Sequence, residues 1–218
     1  MKLATIARLT RQHGVKRASH LLSYRALERT IGYMALVGCV TPPDRLAYPR
    51  DAAFPDGYEG HFMSFDELRE HSRVAANDMD EEFLRRAEGR SDRCYGVFHG
   101  DELANYCWYT NRPFDINEHL TVHFDPRYAF VYKCLTQPAH RGKRLHGVAM
   151  ARAAYAFGDD GGLGIIAYVE TRNYPSLRSG RKMGHHEFGV VRVGKVGGRY
   201  RSWASPGCAA YGFYVATR

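Results

Sequence analysis

The stretch LTQPAHRGKRLHG, residues 135–147, joins the end of an apolar run to the start of a helical pattern. A helix that directly follows a strand has free backbone N–H groups at its start, and these groups and the helix dipole bind phosphate. Arg141, Lys143 and Arg144 add positive charge, and Gly142 and Gly147 permit close approach of the backbone. The stretch predicts an anion site at a strand-to-helix turn. A solvated basic turn that begins an ordinary helix is the alternative.

Strand and helix patterns alternate around this stretch. Apolar runs predict strands over residues 129–135 and 164–170, and helical spacing predicts helices over 143–157 and 175–183. Further strands are predicted over 94–98, 103–109, 120–124, 190–196 and 199–203, with turns that favour two hairpins. This order predicts an α+β fold with one crossover unit inside a mostly antiparallel sheet that helices flank.

The first ninety residues have a different pattern. Leu3, Ile6, Ala7 and Leu9 repeat at helical spacing, Gly14 interrupts them, and a second helix is predicted from about residue 19. Residues 41–57 are rich in turn formers, and two short helices are predicted after Ser64 and near residues 80–87. We therefore expect residues 1–90 to form a helical extension. It would cover the acceptor side of the fold, which is the side where a second substrate would bind. Residues 91–218 would form the core, and both parts would belong to one compact domain. Arg8, Arg11 and other basic residues on the first helices could dock a membrane surface or a carrier protein, or simply lie in water.

The charge of the chain, +8 in total, is unevenly distributed. Residues 126–218 carry fifteen Lys or Arg and four Asp or Glu, whereas residues 51–125 carry seven and seventeen. The basic segment predicts an anionic partner, such as a phosphate-bearing cofactor or an acidic carrier protein. The acidic middle argues against a nucleic-acid partner.

The five cysteines are scattered and form no CxxC pair. This spacing predicts reduced thiols, a cytoplasmic location and no metal site. We expect no signal peptide and no transmembrane segment, because charges interrupt every apolar run. Cys134 could be an acyl-enzyme nucleophile, but small apolar strand positions often hold a cysteine.

Two motifs carry a resemblance to a known family. Pro138, Arg141, Gly142 and Lys143 resemble the start of the acyl-CoA loop of the GNAT acyltransferases, whose pattern is Arg/Gln-x-x-Gly-x-Gly/Ala. Arg144 and His146 stand where that pattern has glycine or alanine. The chain departs from the family pattern at these two positions.

The second motif lies about thirty residues downstream. Asn173, Ser176 and Gly184 match the GNAT stretch after the fifth strand. Gly180 stands where a general-acid tyrosine is frequent, and His185 replaces an aromatic residue. The resemblance covers roughly residues 90–205 and implies the GNAT fold.

The resemblance also implies where the donor binds. The strand over residues 129–135 would splay from the strand over 164–170, with pantetheine in the gap and a backbone N–H near residues 134–136 as oxyanion donor. The implied donor-binding residues are Leu135, Thr136, Arg141, Gly142, Lys143, Arg144, Leu145, His146, Gly147, Asn173 and Ser176.

In direct attack by the acceptor amine, a base takes the proton of the amine and an acid can protonate the leaving thiolate. Glu170 is the candidate base, although it could instead be a surface carboxylate paired with Arg172 or Arg178; His123 and His140 are alternatives. Asn173 orders the donor or caps the following helix. Tyr174 and Ser179 are near enough to be considered as acid.

The function that follows is N-acyl transfer from acyl-CoA to an amine, on a small molecule or a peptide. Transfer of a long acyl chain from the phosphopantetheine of an acyl carrier protein, as in N-acyl amino acid or autoinducer synthases, is an alternative. A second alternative is a GNAT-like binding domain that has no catalytic activity. The chain could also form a homodimer.

Overall fold

A computed structural model gives the fold. It describes the backbone from Leu3 to Arg218 and the side chains from residue 14 onward. The apolar pattern at Leu3, Ile6, Ala7 and Leu9 and the basic residues Arg8 and Arg11 therefore lie outside the described side chains.

Five helices are present in the described residues. They are α1 (Leu3–Ile31), α2 (Phe65–Ser72), α3 (Glu81–Gly89), α4 (Leu145–Asp159) and α5 (Tyr174–Lys182). Gly14 interrupts α1 with a left-handed φ of 75°. The predicted capping box is confirmed at α2, since the Ser64 hydroxyl accepts from the Glu67 N–H while the Glu67 carboxylate accepts from the Ser64 N–H. None of these helices is both long and apolar enough to cross a membrane.

Eleven strands form two sheets in this part of the chain. They are β1 (Met34–Thr41), β2 (Tyr58–Met63), β3 (Arg93–His99), β4 (Glu102–Thr110), β5 (Phe114–Asn117), β6 (Leu120–His123), β7 (Ala129–Thr136), β8 (Ile165–Glu170), β9 (His186–Val196), β10 (Arg199–Ala204) and β11 (Tyr214–Thr217). The large sheet has the order β10-β9-β1-β8-β7-β4-β3-β2, and the small sheet has the order β11-β6-β5. Every pairing is antiparallel except that of β7 with β8, so the predicted α+β class with a mixed, mostly antiparallel sheet is confirmed.

The second predicted helix ends at Ile31, and the expectation that residues 1–90 are helical is wrong for the strand that follows it. Strand β1 lies in the large sheet between β8 and β9, and seven of its eight residues are buried. A short apolar run that is buried on both faces has no alternation, and its periodicity cannot be distinguished from that of a buried helix. Because β1 and β2 share one sheet with later strands, no boundary at residue 90 divides the fold.

The two central parallel strands separate after a short contact. Strands β7 and β8 pair only at Ala129 with Ile165 and at Phe130 with Ile166, although they continue to Thr136 and Glu170. On its other side β7 pairs with β4 as far as Thr136. The expected splay is confirmed, and it opens a gap at the carboxyl ends of β7 and β8.

Three apolar cores hold this sheet. One joins α4 to β3 and β4, with Ala149, Ala153 and Tyr109 buried in it. The second lies between the two sheets around Phe130 and Phe213, and the third lies under α2 and α3 around Trp108. The first core fixes α4, and with it the turn that precedes α4, against the sheet.

Candidate functional site

The turn between β7 and α4 has an unusual backbone. A short 3₁₀ turn over Pro138–His140 follows β7, and Gly142 and Arg144 then adopt left-handed φ angles of 80° and 63°. Arginine in this region is strained by about 1–3 kcal/mol, and such strain persists where the surrounding structure imposes it, commonly at functional sites. A Cβ at Gly142 would meet nothing within 4 Å, so conformation rather than space requires glycine there.

The start of α4 leaves backbone donors free. Its first backbone bond joins the Val148 N–H to the Arg144 carbonyl at 3.2 Å, and the Arg144 side chain does not cap the helix. Across the described residues, the N–H groups of Leu145, His146 and Gly147 have no acceptor. Three unpaired donors at the positive end of a fifteen-residue helix favour an anion.

The three residues that carry these donors line a cleft of about 410 Å³. The predicted residues that line it are Thr136, Arg141, Gly142, Lys143, Arg144, Leu145, His146 and Gly147, together with Tyr48, His140, Ser179, Lys182 and Met183. Leu135, Asn173 and Ser176 do not line it. Most of the predicted donor-binding residues therefore share one cleft.

Sequence reasoning missed three residues of this cleft, namely Tyr48, Lys182 and Met183. Lys182 adds a positive charge from the last turn of α5, and the adjacent basic pair at residues 181–182 was the only signal for it. Tyr48 comes from the turn-rich segment before β2 and packs on α4, since a Cβ at Gly147 would lie 2.6 Å from Cε2 of its ring. Glycine at position 147 thus makes room for Tyr48 and not for a ligand.

Polar contacts hold the turn against the sheet. Arg141 Nε donates to the Thr136 carbonyl at 3.1 Å, and Lys143 Nζ donates to the Tyr58 hydroxyl at 2.8 Å. That hydroxyl lies 2.7 Å from His140 Nδ1, and His140 Nε2 lies 3.1 Å from a Glu102 carboxylate oxygen. His140 is only 6% exposed, and its Nδ1 is held by the Tyr58 hydroxyl, which fits an anchor better than a base.

Comparison with solved structures finds the same architecture. A GCN5-related N-acetyltransferase from Sphaerobacter thermophilus aligns over 94% of this chain, with a TM-score of 0.52 and 10% identity. A putative acetyltransferase of the GNAT family from Novosphingobium aromaticivorans aligns over 85%, with a TM-score of 0.50 and 12% identity. A Drosophila protein from a structural genomics consortium aligns over 84%, with a TM-score of 0.52 and 15% identity.

The chain has the GNAT fold. It spans only 57%, 66% and 57% of the length of those three structures, in the order given. No protein-family model matches the sequence, and no curated protein matches it. At these identities the likeness establishes the fold alone.

On the far side of the gap in this GNAT fold, Glu170 ends β8 and is already paired. Its Oε2 accepts from Arg172 Nε at 2.6 Å and from the Tyr24 hydroxyl at 3.3 Å. Arg172 also donates to Glu28 of α1 at 2.7 Å. Glu170 thus forms the ion pair with Arg172 that was the alternative to a role as base. Through Arg172 and Glu28, this pair connects β8 to α1. Burial raises the pKa of Tyr24 to about 12, so its hydroxyl stays protonated.

The other candidate catalytic residues also have partners. Asn173 caps α5, since its Oδ1 accepts from the Ser176 N–H at 3.2 Å. The Tyr174 hydroxyl lies 2.7 Å from His20 Nδ1 on α1, and Arg17 lies 4.9 Å from the centre of the Tyr174 ring. His123 stacks on Tyr214 within the small sheet.

A cluster of thiols and imidazole lies beside the cleft. The donor atoms of Cys107, Cys134 and His146 all lie within 4.8 Å of one another, and Cys107 Sγ is 3.2 Å from His146 Nδ1. Burial would raise the pKa of Cys107, but the hydrogen bond from the Cys134 thiol and the charge of His146 lower it to about 5. The sequence analysis gave His146 a role in donor binding and did not predict this contact.

Proposed function

We propose that this chain transfers an acyl group from acyl-CoA to an amine by direct attack. The observation that carries the proposal is that the N–H groups of residues 145–147 have no acceptor in the described part of the chain, while these residues line a basic cleft beside the gap between β7 and β8. Arg141, Lys143 and Arg144 are exposed there, and Lys182 lies opposite. Such a site suits the phosphates of a CoA-type donor.

The gap provides a place for the rest of the donor. Beyond Phe130 the edge of β7 that faces β8 has no strand partner, so its backbone groups remain available to a pantetheine chain. An N–H near Cys134 or Thr136 would polarise the thioester carbonyl. The amine would then attack the carbonyl carbon, a base would take its proton, and the thiolate of the donor would leave with the electron pair of the C–S bond.

The acceptor side would be the end of β8 together with α1. Its polar groups, Glu170 and Tyr174, keep their proposed roles as base and acid only if they exchange their present partners, Arg172 and His20, for a substrate. A GNAT-like binding domain that retains the donor cleft without catalysis is favoured by this pairing, and it remains the second candidate.

A donor of the carrier-protein type would use the same cleft. Residues 126–218 carry a large excess of basic side chains, which suits an acidic carrier protein as well as CoA. A carrier-protein donor should lose more affinity with rising salt than CoA does, because it presents charge beyond the phosphate.

Two measurements on the full chain test the proposal. The first is thermal unfolding with CoA, acetyl-CoA, octanoyl-CoA, palmitoyl-CoA and the matching carrier thioesters. A donor at 100 times its Kd should stabilise the fold by about 2.7 kcal/mol. The second is thiol release from the stabilising donor with a panel of amines. Stabilisation with amine-dependent thiol release supports the transferase, stabilisation without release supports the binding domain, and an unchanged Tm with every donor overturns both.

A further inference from the structure

We propose that Cys107, Cys134 and His146 form a binding site for Zn²⁺, with the fourth coordination position open to the donor cleft. The three residues come from β4, β7 and α4, and no two of them are close in sequence. The site is independent of acyl transfer, and its test does not use enzymatic activity.

The sheet sets the distance between the two sulfur atoms. Cys107 and Cys134 are directly opposed in the antiparallel register of β4 and β7. Directly opposed side chains on one face of such a pair begin about 4.5–5.5 Å apart at Cβ, which lets two sulfur atoms approach one centre. Because this register is fixed on both sides by Tyr106 with Leu135 and by Trp108 with Lys133, the pair is preorganised.

The third ligand comes from above the sheet. His146 is the second residue of α4, and its Nδ1 points at Cys107 Sγ from 3.2 Å. Tetrahedral zinc with Zn–S near 2.3 Å and Zn–N near 2.0 Å places its ligand atoms about 3.5–3.8 Å apart. The cluster, whose donor atoms all lie within 4.8 Å, therefore needs only small side-chain rotations to surround an ion.

The chemistry of the three ligands determines which metal is favoured. Two thiolates and one imidazole favour zinc or another soft ion over Mg²⁺ or Ca²⁺, which prefer oxygen ligands. No carboxylate belongs to the cluster among the residues that the structure describes.

A hydroxyl is available on the buried side of the proposed site, and the other side is accessible to solvent. The buried Tyr109 hydroxyl, two residues from Cys107 along β4, has no hydrogen-bond partner in the described part of the chain, so it is free to donate to a metal-bound thiolate. Cys134 is exposed and His146 lines the cleft. Three protein ligands and an accessible fourth position are the arrangement of an open zinc site, which takes water or an external ligand such as a thiol.

Cobalt binding tests the site directly. The full chain is reduced with a phosphine, stripped with a chelator and titrated with Co²⁺, and then Zn²⁺ is added in competition. We expect one equivalent of Co²⁺ with a thiolate-to-cobalt charge-transfer band of two-thiolate intensity, and we expect Zn²⁺ to abolish the band. No band in the folded, reduced protein, or a band of one-thiolate intensity, would overturn the site.

Variants locate it. Cys134→Ser changes an exposed side chain and should still fold, which circular dichroism checks. It should weaken metal binding by more than about 100-fold, since even outer-shell partners of a metal ligand contribute 10–100-fold. His146→Gln should do the same, whereas Cys39→Ala, a buried cysteine of β1, should leave the affinity unchanged. Retained binding in both cluster variants, or equal loss in Cys39→Ala, would contradict the assignment. CoA binding without metal binding would reject this site and leave the proposed function standing.

Discussion

The turn between β7 and α4 and the end of β8 border the same gap, yet their polar groups are used in opposite ways. In the turn, the N–H groups of residues 145–147 have no acceptor in the described structure, and exposed cations surround them. At the end of β8, Glu170, Asn173 and Tyr174 each have a partner within the protein. Polar groups that have no partner in the protein can bind a ligand, whereas groups paired with one another mainly hold elements of the fold together. A hydrogen bond that is not made is costly where the polar group is buried.

The largest expected effect is on the turn side. Arg141→Ala should weaken binding of the CoA-type donor by about 1–3 kcal/mol, or roughly 5–150-fold in Kd, because a charge-assisted hydrogen bond is lost. Isothermal titration measures the Kd. The matched control is Arg192→Ala, an exposed arginine on β9, which β1 and β8 separate from β7. Equal Kd values in the two variants would place the donor site elsewhere.

A second comparison separates conformation from charge within the turn. Gly142 and Gly161 have φ angles of 80° and 84°, and neither Cβ would meet an atom within 4 Å. Gly142→Val and Gly161→Val should each lower the free energy of unfolding by about 1–3 kcal/mol, because valine resists left-handed φ. Only Gly142→Val should weaken donor binding, by about tenfold. Equal donor affinity in both would show that the shape of the turn is not needed.

Glu170→Gln probes the paired side. The variant keeps the side-chain shape and loses the charge that pairs with Arg172, so we expect about 1 kcal/mol less stability and a fall in kcat of less than about tenfold. Glu28→Gln removes the other half of the Arg172 pairing and serves as the control. A 10²–10⁴-fold fall in kcat for Glu170→Gln alone, with donor Kd unchanged, would instead make Glu170 the general base.

The smallest expected effect is that of Tyr174→Phe. It removes the hydrogen bond to His20, which contributes about 0.5–1.5 kcal/mol, and kcat should stay within about twofold. Denaturant unfolding of Tyr174→Phe, His20→Ala and the double variant forms a cycle that measures this bond. A fall in kcat of a hundredfold or more in Tyr174→Phe, absent from His20→Ala, would identify Tyr174 as the acid.

The sequence by itself determined the features that depend on neighbouring residues. The helix cap at Ser64, the hairpin of β3 and β4, and the strand-to-helix turn at residues 135–147 follow from local propensity and side-chain reach. The motif at residues 138–143 indicated an anion site because phosphate binding uses backbone groups that any sequence places at a helix start.

Only the tertiary structure decided what depends on distant residues. Strand β1 was missed because its burial comes from β8 and β9, which lie more than 120 residues later in the chain. Tyr48 and Lys182 join the cleft, and Arg172 and His20 occupy Glu170 and Tyr174, through contacts that no local spacing encodes. The expectation of no metal rested on the absence of paired cysteines in sequence, whereas the cluster of Cys107, Cys134 and His146 exists because strand register and the placement of α4 bring three separate positions together.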